Sequence, residues 1–171
     1  MGAVALEKYY VAAINAVNLL GAQRTRQLVE FFDGAEKAWK AEPEQLKQIL
    51  SSKAFESFLE FRQKNPNAPE KLVEFCDVHK ISLCSIFDED YPTLLKEINS
   101  PPPVFYYRGK LEPCAERIGI VGTRQSTSYG ERVVKSMSSE LAKAGFTIVS
   151  GAAFGIDTYA HYGALKTGRT V

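Results

Sequence analysis

Residues 117–133 read RIGIVGTRQSTSYGERV. An Ile- and Val-rich run, typical of a strand buried on both faces, stops at Gly122-Thr123-Arg124. Hydroxyl residues and another glycine follow. GERVVKSMSSELAKAG, residues 130–145, then reads as a helix, with Val133, Val134, Met137 and Leu141 on one side and Gly145 as its stop. FTIVSG, residues 146–151, repeats the strand. A second glycine-bearing turn leads into DTYAHYGALKTG, residues 157–168, a second helix ended by Gly168. Arg169-Thr170-Val171 begins a third strand. Strands alternating with helices predict parallel β-α-β units with right-handed crossovers. Small parallel sheets rarely stand alone, so this segment is expected to be the front part of a longer polypeptide or a product cut short.

Upstream, the pattern is helical. Tyr10, Ile14 and Val17 share one face of a first helix that Gly21 is expected to end. A second helix, about 23–32, carries Leu28, Val29 and Phe32; Asp33-Gly34 breaks the chain before a short helix reaching Trp39. Pro43 suits a first helical position, and Ser51 or Ser52 a cap for a helix bearing Phe55, Phe58 and Leu59. Turn-rich QKNPNAPE, residues 63–70, marks a boundary. The expected organisation is α/β: a small all-α domain, residues 1–65, then a Rossmann-like parallel-sheet domain, residues 66–171, truncated to its front part. Within the second domain, a helix with Leu72, Val73 and Cys76, a strand near residues 81–86 and an edge strand VFYYRG after Pro101–Pro103 come first.

Charge separates the two halves. Residues 1–116 hold 14 Lys and Arg against 17 Asp and Glu, a net −3; residues 117–171 hold 7 against 3, a net +4. The three cysteines, Cys76, Cys84 and Cys114, have no C-x-x-C spacing, so a disulfide framework or zinc ribbon does not fit and a cytoplasmic protein follows. The amino end lacks a signal-peptide pattern, and no apolar run approaches the roughly 20 residues that span a bilayer.

Both β-α turns lie at the carboxyl ends of parallel strands, where open α/β sheets bind ligands. The first is GTRQSTSYG, residues 122–130; the second is SGAAFGID, residues 150–157. Each feeds a helix amino terminus, where unpaired N–H groups and the helix dipole favour an anion. Gly122 turns the backbone; Thr123, Ser126, Thr127 and Ser128 offer hydroxyls; Arg124 adds a cationic fork that matches phosphate and stacks on bases. Gly151 and Gly155 keep the second loop thin. Asp157 reads as the cap of the last helix, and His161 as a structural residue able to pair with it four positions on. Ala160, Gly163 and Ala164 suit close helix–sheet packing.

The dinucleotide fingerprint G-x-G-x-x-G is absent, since residues 122–127 are GTRQST; no acid ends the second strand, and no Walker lysine appears. Donors and a cation without a nucleophile–base pair or a metal cluster point to binding rather than turnover, with no cofactor and no metal.

IVGTRQSTSYG, residues 120–130, and IVSGAAFGIDTYAHYGAL, residues 148–165, resemble the DNA-processing protein A family (DprA, also Smf). YPTLLKEINSPPPVFYYRG resembles that family's approach to its Rossmann-like core, and the helical front its sterile-alpha-motif-like or helix-hairpin-helix-like domain. The resemblance implies a non-catalytic mediator that coats incoming single-stranded DNA in natural transformation and helps load the RecA recombinase. It implies DNA contacts at Gly122, Thr123, Arg124 and Ser126, with Ser150, Gly151 and Gly155 from the second loop. Self-association and RecA contact are properties it implies for full-length members. The competing enzyme reading is a nucleotide phosphoribohydrolase, whose P-G-G-x-G-T-x-x-E loop has no match here.

Overall fold

The computed structural model describes residues 3–112 and 116–171, with side chains from residue 6 onward; Cys114 lies outside the described residues. The chain forms two compact units, residues 1–113 and 114–171.

The first unit opens with six helices: α1 (Ala3–Asn15), α2 (Gly21–Phe31), α3 (Ala35–Lys40), α4 (Pro43–Leu46), α5 (Ser52–Lys64) and α6 (Ala68–His79). Their shared interior holds Ile14, Leu28, Leu46 and Phe58, all fully buried. Trp39 meets Phe58 and Phe61 edge-on, with ring centroids 5.7 and 6.2 Å apart. Short helices leave many terminal backbone groups to satisfy. Glu7 of α1 reaches the start of α3, its carboxylate accepting from the amides of Ala35 at 2.7 Å and Glu36 at 3.3 Å. At the other end of α3, Arg62 Nη1 donates to the carbonyls of Trp39 (2.7 Å) and Ala41 (2.8 Å).

Two local expectations differ from the structure. Gly21, with φ +62°, begins α2, whereas α1 already stops at Asn15. Ser51 occupies the cap position of α5, but its side chain makes no capping hydrogen bond.

Beyond α6 come β1 (Ser82–Ser85), α7 (Thr93–Lys96) and β2 (Val104–Tyr107). β1 and β2 form their own antiparallel ribbon, pairing Ser82 with Tyr107 through Ser85 with Val104. Leu83 and Val104 enter the helical core, and α6 packs along α1. Residues 66–113 therefore group with the helices, whereas the turn-rich stretch had suggested a boundary after residue 65. Turn composition marks where the chain bends; buried apolar contacts decide what it joins.

The second unit is built from β3 (Arg117–Gly119), α8 (Ser128–Lys143), β4 (Thr147–Val149), α9 (Ile156–Ala164) and β5 (Arg169–Thr170). The strands are parallel in the order β3-β4-β5, with Ile118 beside Ile148 and Ile148 beside Thr170. The order advances in one direction, so right-handed crossovers place both helices on the same face. Val134 and Ala142 of α8 and Ala160 and Ala164 of α9 share one core with Ile120 and Ile148. The α/β class and the parallel, Rossmann-like arrangement are as expected.

Burial within this unit departs from the sequence pattern. β3 is not covered on both faces: Arg117 and Ile118 are half-buried and Gly119 is exposed, and Val121, just beyond the strand, is 84% exposed. Along α8 the buried stripe is Val134, Ser138 and Ala142, while Val133 and Met137 face outward. The two helices touch closely, and small residues allow that approach where large apolar ones do not. Gly145 stops α8 with φ +101°, as expected. Among the described residues, no helix is long and apolar enough to cross a membrane.

Candidate functional site

The two loops that follow β3 and β4 meet. The Ile156 amide, opening α9, donates to the Thr123 carbonyl at 3.1 Å. Gly155, with φ +81°, lies against the Thr123–Arg124 peptide; a Cβ there would sit 2.3 Å from the Thr123 oxygen and 2.7 Å from the Arg124 carbonyl. Only glycine adopts this backbone and permits this approach. Gly122 serves the same junction from the other side, since its Cβ would fall 2.6 Å from the Ile156 side chain. No positive φ is recorded there, so close approach accounts for this glycine rather than the sharp turn expected of it. Gly151 faces Asp157, with Oδ2 2.9 Å from where its Cβ would be.

These contacts leave a rim of unused donors. The amides of Gly122, Thr123, Arg124, Ser126 and Thr127 have no protein acceptor among the described residues, nor do those of Gly151 through Gly155. They stand at the positive ends of α8 and α9. The exposed Arg124 guanidinium forms no ion pair or hydrogen bond among the described residues. Ten free amides, two helix ends and one unpaired cation are features whose fields and donors favour an anion.

The hydroxyls are less available than their number suggests. Ser126 Oγ donates to Glu131 Oε1 at 3.2 Å. Ser150 Oγ donates to the Ile120 carbonyl at 2.7 Å, and its amide to the Val171 carbonyl at 3.0 Å, tying the strand ends together. Thr123 Oγ1 closes a local turn by accepting from the Gln125 amide at 3.1 Å. Thr127 caps α8, its Oγ1 accepting from the Gly130 amide at 3.2 Å while its O–H has no acceptor among the described residues. Glu131 also hydrogen-bonds Tyr159, which together with desolvation raises that phenol's pKa above its ordinary value.

Two expectations for α9 are corrected. Its cap is Gly155, and Asp157, buried at the second helical position, makes no capping bond. His161 pairs with Thr170 rather than with Asp157: Nδ1 and Thr170 Oγ1 are 2.6 Å apart, linking α9 to β5. A carboxylate four residues back lies on the same face, but the strand hydroxyl is the nearer partner.

Residues missed in the sequence flank the rim. Phe154 is 84% exposed in the second loop, next to the glycine that touches Arg124, and Tyr129 is 70% exposed at the start of α8. A large aromatic set among Gly and Ala in SGAAFGID was the available signal, because such a loop has no core to bury it. Exposed rings beside a cation suit stacked bases.

The sequence profile of the DNA recombination-mediator protein A family matches residues 82–171. Protein Smf of Synechocystis sp. is 38% identical over 173 residues, covering 96% of this chain and 43% of that protein. The DNA processing protein DprA of Bacillus subtilis is 34% identical over 146 residues, covering 79% of this chain and 49% of its own. The X-ray structure of DprA from Streptococcus pneumoniae superposes with a TM-score of 0.73 at 26% identity, over 95% of this chain and 56% of that one. The chain spans about half the length of these relatives. With the profile covering more than half of its residues, the chain belongs to the DNA recombination-mediator protein A family.

Proposed function

We propose that the rim binds the sugar–phosphate backbone of single-stranded DNA and that the chain is a binding protein rather than a catalyst. The carrying observation is the pair of clamped loops presenting free amides beside an unpaired Arg124. Phosphates of one strand meet the amides of Gly122–Thr127 and Gly151–Gly155. Arg124 gives a charge-assisted contact to phosphate or stacks on a base. Gly122 and Gly155 hold the loops together, and Ser126 and Ser150 position them through Glu131 and the Ile120 carbonyl. A surface that grips backbone is largely indifferent to sequence. An unpaired strand exposes both phosphates and base planes, which is what amides, Arg124 and Phe154 recognise.

The DNA-processing names of the Bacillus subtilis and Streptococcus pneumoniae relatives support this reading. Helping to load RecA, and self-association, belong to the same proposal for the whole protein. Free, buried Cys76 and Cys84 fit a reducing, cytoplasmic setting.

The test is a titration of a labelled thymidine oligonucleotide, single- and double-stranded, at two salt concentrations. Wild type is expected to prefer the single strand and to bind it less tightly at high salt. Arg124→Ala should weaken single-strand binding by about 1–3 kcal/mol. Unchanged affinity in that variant removes Arg124 from the interface.

A further inference from the structure

Away from the loops, the outer surface of the α8–α9 pair holds a groove of about 560 Å³, lined by Lys135, Ser136, Glu140, Tyr159, Tyr162 and Lys166. Its floor lies where the helices touch most closely: a Cβ on Gly163 would fall 2.1 Å from Ser138 Oγ and 2.4 Å from the Lys135 carbonyl. Along its length, cations and rings alternate. Lys135 Nζ stands 4.3 Å above the Tyr159 ring, and the Tyr159 and Tyr162 centroids are 6.4 Å apart. Tyr162 is 57% exposed, so it does not serve as core.

The charge is one-sided. Lys135 and Lys166 join no ion pair among the described residues. The one carboxylate in the lining, Glu140, accepts a hydrogen bond from Ser136 at 3.0 Å. Direction matters as well. Both helices start at the rim and run away from it, so the groove between them leads down from the loops. Tyr159 is in the first turn of α9, and Lys166 lies in the turn just past its end at Ala164, so the two stand at opposite ends of that helix.

Resting on the function proposed above, we infer that this groove is a second contact for single-stranded DNA, taking the stretch that leaves the rim. Lys135 and Lys166 meet its phosphates, and Tyr162 stacks on a base. Alternating cations and exposed aromatic planes are what a sequence-indifferent single-strand track requires. An acidic protein segment would satisfy the lysines and leave the exposed Tyr162 ring unused.

The experiment compares thymidine oligonucleotides of about 6 and about 18 nucleotides on the full chain, bracketing common single-strand site sizes. The double variant Lys135→Ala/Lys166→Ala should bind the longer strand about tenfold more weakly, with the salt slope reduced by about 1.4, and the shorter strand unchanged. Tyr162→Ala should show a loss of similar size, again for the longer strand alone. Lys143→Ala, on α8 but outside the lining, should change neither. Equal affinity of the double variant and wild type for the longer strand overturns the inference, as does equal weakening at both lengths. Loss of a wild-type dimer in the double variant, by sedimentation, would assign the groove to a second copy instead. Failure of wild type to bind either length overturns the rim reading itself, and the groove reading with it.

Discussion

The two units treat their cations differently. Four ion pairs, Lys37–Asp33, Lys40–Glu36, Lys47–Glu44 and Lys64–Glu60, lie in the helical unit. Each joins exposed residues three or four positions apart, within a helix or at its end, where such pairs contribute a few tenths of a kcal/mol. Arg62 is likewise engaged, by the carbonyls ending α3. In the sheet unit Arg124, Lys135 and Lys166 have no carboxylate partner among the described residues. A net charge of +1 for the whole chain hides this division. What predicts an anion-binding face is where cations lack local partners, not the sum of charges.

The division can be broken or sharpened by substitution. The largest effect is expected at Gly155. Its Cβ would collide with backbone, and its φ of +81° is hostile to a side chain. Gly155→Ala should destabilise the sheet unit by about 3 kcal/mol in urea unfolding and abolish single-strand binding. Wild-type binding in that variant would show that the loops need not meet.

Next comes the cation contrast itself. Arg124→Ala should cost about 2 kcal/mol of single-strand affinity, whereas Lys37→Ala should cost none, in the same anisotropy titration. Equal losses would mean that charge acts at long range and that pairing is irrelevant.

Glu7→Ala sharpens the comparison from the helical side. Removing the carboxylate that accepts from Ala35 and Glu36 should reduce stability by about 1 kcal/mol and leave DNA affinity intact. Ala152 carries φ +53° in the second loop, an uncomfortable conformation for a residue with a Cβ. Ala152→Gly should raise the stability of the sheet unit by about 0.5 kcal/mol, read as a shift in urea midpoint.

The smallest effect concerns pH. Burial, followed by the charge of Asp88, pushes the Cys84 thiol from an ordinary 9.0 up to about 11. The folded state therefore favours the protonated thiol. Its contribution to stability is complete below pH 9 and is lost as pH rises through 11. Thiol alkylation at pH 9 should be slow in the native protein and fast in urea, and Cys84→Ser should flatten the alkaline decline.

Much of the candidate site's geometry was readable because its signals are local. The strand–turn–helix alternation placed both loops, and Arg124 stood out as a cation with no acid nearby in sequence. The structural reading of His161 was also local in origin, although its partner, Thr170, came from the next strand. The availability of hydroxyls was not readable. Ser126 and Ser150 look alike as donors in sequence, yet one meets a carboxylate a turn away and the other a carbonyl 30 residues distant. Phe154 escaped notice because exposure is a property of surroundings, not of residue type.

The amino-acid order alone determined the alternating parallel unit, the position of two glycine-bearing turns at helix starts, and the concentration of positive charge after residue 116. These follow from periodicity and backbone preference, which act over a few residues. Tertiary structure alone decided that residues 66–113 join the helices, that Gly155 and Gly122 press the two loops together, and which donors remain free. Those outcomes depend on which distant groups compete for the same space and the same hydrogen bond, and only the folded chain brings them within reach.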